Sequence, residues 1–439
     1  MHSPNSDGSH SSPQDARDKA VVLRHPAWTI WAMLAAFGTY FCMYGFRKPF
    51  TAATYGDETI AGMGLKTVLV TAQVLGYSIS KFIGIKVISE MPPGSRAKTL
   101  IGLVVFGELA LILFGIFPAP WNVFFMFLNG LPLGMVFGLV MGFLEGRRVT
   151  ELLTAGLCAS FIVADGATKS VGSWLLTIGV PQFWMPAAAG AIFLLPLIGF
   201  VSVLSSIPAP SALDRQERSE RMQMTSTDRW ALARRYGFGL AALVLMYLMV
   251  TILRSLRADF AAEIWQGLGE PAAPSQFTVS EMLVALGVIV INGVLVIVRD
   301  NHRAFLLSLF TCLVGFVMLL TVCTLQTRAL SAFQFMVLVG LGLYLPYVAV
   351  HATIFERLLA MTRDRGNVGF LMYVADSTGY LGYVACILLK GTIQPQGNFL
   401  PFFLTFVWIT ALLSIGCVVF SGYFFLSRTY QHIASNELQ

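Results

Sequence analysis

Seven basic residues of this chain sit inside long apolar runs: Arg47, Lys48, Lys81, Lys86, Lys169, Arg254 and Arg257. At the centre of a bilayer a lysine or arginine costs about 2.5–3.5 kcal/mol. It persists where it faces a wet cavity, pairs with an acid or reaches back to the interface. Lys86, near the end of its run, is expected to do the last of these. Arginine presents a planar fork of donors that fits phosphate or carboxylate in a bidentate manner. Two facing guanidiniums repel unless an anion lies between them. Arg47 in CMYGFRKPF and Arg254 in VTILRSLRADF are therefore the candidates for an anion clamp. Helical spacing puts Lys48 about 100° around from Arg47 and Arg257 near the face of Arg254.

The alternative is internal neutralisation. Glu108, Asp165, Asp259 and Asp376 also lie in apolar runs and can each hold a cation. Asp165 stands one helical turn before Lys169, so that pair can close along a single helix. Tyr44, Tyr380 and Trp265 are candidates for shaping a cavity, or for ordinary packing against lipid. His351 lies within an apolar run, whereas His2, His10, His25, His302 and His432 fall in tails or connecting segments. The sequence holds no HExxH, no GxSxG, no P-loop and no carboxylate-rich metal cluster. An enzyme, a metal site and a cofactor are not expected.

The elements that must position these charges are membrane helices. Hydrophobic residues make up 56% of the chain and charged ones 12%, against about 25% charged in soluble domains. A helix needs about 20 apolar residues to cross the hydrocarbon core. Such runs fall near 27–54, 66–89, 98–118, 121–146, 150–177 and 183–206, then near 237–266, 277–298, 304–325, 331–357, 367–391 and 399–426. The expected fold is all-α, with twelve transmembrane helices in two pseudo-symmetric halves of six. The expected layout is a disordered cytoplasmic tail over 1–26, an N-terminal half over 27–206, a cytoplasmic linker over 207–236, a C-terminal half over 237–426 and a second tail over 427–439. The Ser-rich opening, MHSPNSDGSHSSPQDARDKA, has no apolar core of the signal-peptide kind.

Loop charges set the orientation. Nineteen loop cations lie on one side, and only Lys66, Arg328 and Lys390 on the other. The positive-inside bias makes both termini cytoplasmic. The formal charge of +6 does not point to nucleic acid, because the basic residues are spread over short loops rather than gathered in one patch. All six cysteines lie in apolar runs without a CxxC pair and read as free thiols packed in the membrane.

The halves repeat each other. FMFLNGL from Phe125 is matched by FMVLVGL from Phe335, Glu145 by Glu356, and FIVAD ending at Asp165 by LMYVAD ending at Asp376. All recur at nearly one offset, as in transporters whose halves are related by an axis along the membrane normal. Gly130, Gly134, Gly138, Gly142 and Gly146 line one face of the fourth run. This stripe serves either tight packing or a sliding contact between helices.

These motifs carry a family likeness. Arg47-Lys48 in the first span, Ser80-Lys81-Phe82-Ile83 in the second, Arg254 followed by Asp259 in the seventh, and Lys169 in KSVG of the fifth resemble the organophosphate:phosphate antiporters of the major facilitator superfamily. In that family a histidine stands where Lys169 does here, and Arg257 is an additional cation. The resemblance implies a bacterial inner-membrane antiporter working by alternating access. Arg47 and Arg254 would hold a phosphoryl group, assisted by Lys81 and Lys169. Independently of the resemblance, Asp165 is expected to hold Lys169 in the empty site and release it when substrate arrives. The expected partners are a small anion and the lipid bilayer, with no nucleic acid, and the expected state is a monomer. Two other classes remain open. One is a proton-coupled symporter of a carboxylate anion that uses Asp165, Asp376, Glu108 or His351. The other is a transporter-like anion sensor without flux.

Overall fold

The computed structural model describes residues 26–56, 58–144, 150–207, 226–270, 272–298, 300–326, 329–362, 368–393 and 399–436. The tail over 1–25, most of the expected linker, Glu145, Gly146 and Arg328 lie outside them. So do the side chains of Lys86 and Cys158. A helix occupies each of the twelve expected stretches. In the first half these are α1 (Pro26–Tyr44), α2 (Leu65–Glu90), α3 (Arg96–Ile116), the broken pair α4 (Asn122–Leu133) and α5 (Val136–Leu144), α6 (Thr150–Thr177) and α7 (Met185–Ser205). In the second they are α8 (Ser226–Asp259) with its short extension α9 (Ala261–Gly267), α10 (Pro274–Ile297), α11 (Asn301–Leu325), α12 (Ala332–Ala349) continued through a π turn (Val350–Ile354) into α13 (Phe355–Thr362), α14 (Val368–Ile393) and α15 (Phe399–Asn436).

Among the described residues, eight helices are long and apolar enough to cross a membrane, and α1 adds a shorter apolar one. The helices outside that set, α2, α6 and α14, carry Lys81, the Asp165/Lys169 pair and Asp376. A closed backbone ladder lets such segments cross lipid, while their charged faces must turn inward. Differences from the expected boundaries cluster where the chain bends. α8 begins at Ser226, inside the stretch expected as linker, and α15 remains helical past 426 to Asn436.

The interior is packed at close range where glycine permits. A Cβ on Gly76 would overlap the Phe127 carbonyl, and one on Gly130 the Gln73 carbonyl. One on Gly134 would meet Tyr77 and Ser80. Gly130 and Gly134 of the stripe are thus pressed against α2 of their own half, where missing side chains let two backbones meet, while Gly142 faces the Arg96 guanidinium. The halves meet along α6 against α10 and α2 against α14. At the first seam, Ser170 donates to the Pro274 carbonyl and lies 2.6 Å from the Thr278 hydroxyl.

Candidate functional site

The first apolar run does not stay helical to its end. α1 stops at Tyr44, and Gly45 to Lys48 form a tight turn into a 3-10 turn at Pro49–Ala52. Proline brings no N–H and a fixed φ, which suits the opening of a new turn and ends the old helix. The helical rotation expected between Arg47 and Lys48 is therefore absent, and both side chains line one cavity. The carbonyls released at the helix end need donors. Gln73 Nε2 donates to the Arg47 carbonyl at 3.0 Å, and Asn129 Nδ2 donates to that of Phe46 at 3.0 Å. Gln73 and Asn129 are themselves joined at 2.8 Å. This amide pair fixes the turn that carries the arginine.

The cavity lies between the halves. Tyr44, Arg47, Lys48 and Asp165 line it from the first half, and Arg254, Asp259, Tyr344, Tyr380 and Tyr383 from the second. It is small, about 10 Å³, enough for about one water molecule. The cations around it sort into two groups. Lys48 is bonded to Asp259 and lies 3.7 Å from Asp165. Lys169 pairs with Asp165 at 2.5 Å, and Lys81 with Asp376 at 2.9 Å. Arg257 pairs with Glu281 at 2.7 Å.

The two remaining guanidiniums face rings instead. Arg47 sits 3.8 Å from the centre of the Tyr77 ring, and Arg254 4.5 Å from that of Tyr347. Among the described residues neither forms an ion pair, and each Nε is buried without a hydrogen-bond partner. Lys48, Lys81 and Lys169 thus each meet an acid, and the two cations of the lining without one are Arg47 and Arg254. A cation–π contact stabilises by about 0.5–2 kcal/mol, whereas desolvating an ion costs several kcal/mol. Tyrosine faces alone do not offset that cost.

The structure also separates residues the sequence had grouped. Arg257 does not share the face of Arg254. Its guanidinium reaches Glu281 on α10 and donates to the Met336 carbonyl on α12 at 2.8 Å, away from the cavity lining. Glu108 lies against Gly190 and Phe46 with Oε2 unpartnered, apart from the lysines. Trp265 is fully buried beside Phe333, also outside the lining. Lys66, counted as a loop cation, is buried. It binds Glu263 at 2.6 Å and the Thr51 carbonyl at 2.7 Å, tying α2 to α9. Tyr383 donates to Asp259 Oδ2 at 2.7 Å, and Tyr247 to Asp376 Oδ1 at 2.5 Å.

Glu281, Gln73, Asn129, Tyr77, Tyr247 and Tyr347 were not anticipated as site residues. Glu281 carried a usable signal, an acid inside the eighth apolar run. The tyrosines carried none, since an aromatic in such a run is ordinary packing until its rotation is known.

Comparison with known proteins agrees with this geometry at the level of fold. No curated protein matches the sequence. The crystal structure of a D-xylose–proton symporter aligns with TM-score 0.63 at 12% identity, covering 90% of this chain and 97% of that one. A POT family transporter in complex with 5-aminolevulinic acid aligns with TM-score 0.58 at 13% identity, covering 91% and 97%. The nucleoside transporter NupG aligns with TM-score 0.58 at 14% identity, covering 91% and 100%. The twelve-helix architecture is that of the major facilitator transporters. Residues 49–428 match the profile of DUF5690, described as a family of unknown function. The match spans α2 to α15 and begins at the proline that ends the arginine turn, so this chain is a DUF5690 protein built on the major facilitator fold.

Proposed function

We propose that this protein is a secondary active transporter of a small organic anion, a phosphorylated metabolite or a phosphonate, which it exchanges for phosphate. One observation carries the reading: Arg47 and Arg254, one from each half, line the same cavity and are its two cations without an acid. A dianionic head with tetrahedral oxygens satisfies both forks at once. Tyr44 and Tyr380 then bound the rest of the substrate.

A phosphate ester is larger than the present cavity, so its entry requires the halves to part. The ion pairs supply the means. A phosphoryl group attracts Lys48, Lys81 and Lys169 away from Asp259, Asp376 and Asp165, and binding free energy is drawn into moving the halves. Alternating access follows, with both termini cytoplasmic in a bacterial inner membrane, the 207–236 stretch joining two six-helix halves, and a monomer as the working unit. The fold neighbours, named for a sugar, a nucleoside and 5-aminolevulinic acid, support transport in general and leave the cargo to the arginines.

The test is a thermal-shift panel on purified protein with inorganic phosphate, sugar phosphates, phosphonates and dicarboxylates. At least one phosphoryl anion is expected to stabilise the protein, and Arg47→Ala to abolish that shift. Arg47→Lys keeps the charge but loses the fork, and is expected to weaken the anion by an order of magnitude or more. Equal affinity in that variant removes the bidentate clamp. Binding with no exchange in proteoliposomes selects an anion sensor instead.

A further inference from the structure

A second polar chain runs beside the arginines, and a neutral histidine leaves one of its links without a proton. His351 is half-buried and sits in the π turn Val350–Ile354, the break in α12. Single π turns of this kind are frequent at functional sites. Its Nδ1 is 3.0 Å from the Tyr347 carbonyl, which can only accept, so Nδ1 carries a hydrogen. Its Nε2 is 3.4 Å from the Tyr247 hydroxyl oxygen. Tyr247 has one proton, and at 2.5 Å it is given to Asp376 Oδ1. The other oxygen of Asp376 accepts from Lys81 at 2.9 Å, across the seam between the halves.

With a neutral imidazole, the lone pair on Nε2 therefore faces a lone pair on the Tyr247 oxygen. The conflict ends in either of two ways. A proton taken up on Nε2 donates to Tyr247, and every link from the Tyr347 carbonyl to Lys81 is then matched. Otherwise the Tyr247 proton swings to Nε2, and Asp376 Oδ1 loses its donor.

We propose that His351 is a proton-binding site whose occupancy, relayed by Tyr247, sets the strength of the Lys81–Asp376 pair that joins α2 to α14. The charges that face the imidazole act in both directions: Asp376 favours a proton there, and Arg254 and Lys81 oppose it. Asp376 on α14 supplies counter-charge through one hydroxyl, and Arg254 and Tyr247 come from α8. Lys81 approaches from α2, and Tyr347 belongs to α12 itself. From α11, Ser308 is 2.9 Å from Thr353 on the same π turn. The ion pair at the far end is partly exposed, 19% for the Lys81 side chain and 24% for that of Asp376. Proton uptake adds a positive charge near Arg254, so a proton and an anion held by that guanidinium are expected to favour each other's binding reciprocally.

The inference goes beyond the anion reading and does not require it, because its test needs no anion. Protein labelled with 15N-histidine is placed in nanodiscs and followed by NMR from pH 5 to 8. The His351 signal is assigned by its loss in His351→Asn. It is expected to titrate within that range, and its midpoint to move by about one pH unit or more in Asp376→Asn and to move also in Tyr247→Phe. Spin labels on α2 and α14 report the seam, with a shorter, narrower distance distribution expected at pH 5 than at pH 8. That difference is expected to vanish in His351→Asn. An imidazole that stays neutral throughout, a midpoint indifferent to Asp376, or a seam distance independent of pH overturns the proposal. Absence of any stabilising phosphoryl anion overturns the anion reading alone.

Discussion

Asp165 and Asp376 end the same Val-Ala-Asp string on equivalent helices, α6 and α14, yet they live differently. Asp165 is sealed, with 3% of its side chain exposed. Lys169 of its own helix holds it, and Lys48 of the same half lies beside it. Asp376 is open by comparison and is held by Lys81 of the opposite half and by Tyr247. One duplicated scaffold thus carries two kinds of charge pairing. In the first half the acid neutralises cations that travel with it. In the second it bridges the seam between the halves. A repeat keeps the position of a side chain, and the partner that reaches it decides whether the charge is closed within one half or shared across the seam.

The comparison can be broken most forcefully at Asp165. Asp165→Ala leaves Lys169 unpaired in a buried place and Lys48 with Asp259 alone. Losing one partner of a buried pair costs about 3–5 kcal/mol, read as a collapse of the melting temperature in detergent. If Asp165 proves as dispensable as Asp376, the distinction between sealed and open acids fails. Asp376→Asn, in a partly wet site, is expected to cost about 1–3 kcal/mol, with its main effect on the distance between α2 and α14.

The glycines of the repeat sharpen the same point. A Cβ on Gly130 meets the Gln73 backbone carbonyl, which cannot yield without moving α2. A Cβ on Gly340 meets the side chains of Arg257 and Val284. Gly130→Ala is therefore expected to destabilise by about 1–3 kcal/mol and Gly340→Ala by less, measured by the same melts. The smallest effect is that of Tyr247→Phe, about 1 kcal/mol for one hydrogen bond. It is expected to be larger at low pH, where the chain from His351 is complete.

The twelve helices were legible because hydropathy records which residues avoid water. The arginine pair was legible because the repeat places Arg47 and Arg254 on equivalent spans. What hydropathy does not record is rotation about each helix axis, and rotation decides which acid meets which cation. Arg257 shows this: three residues from Arg254, it turns to Glu281 on a neighbouring helix. Breaks were equally hidden. The run of apolar residues continues past Tyr44, but Pro49 ends the helix, and the resulting turn delivers Arg47 and Lys48 to one space. Gln73 and Asn129 gave only the signal of uncharged polar residues in lipid, which becomes meaningful once the carbonyls they satisfy are known.

That amide pair has a mechanical consequence. Gln73 and Asn129 bolt the turn bearing Arg47 to α2 and α4, so this guanidinium is a rigid fixture of the first six helices. Arg254 belongs to α8, in the other six. The two forks thus stand on different bundles, and on the reading proposed above an anion joining them would tie one bundle to the other at the level of the cavity.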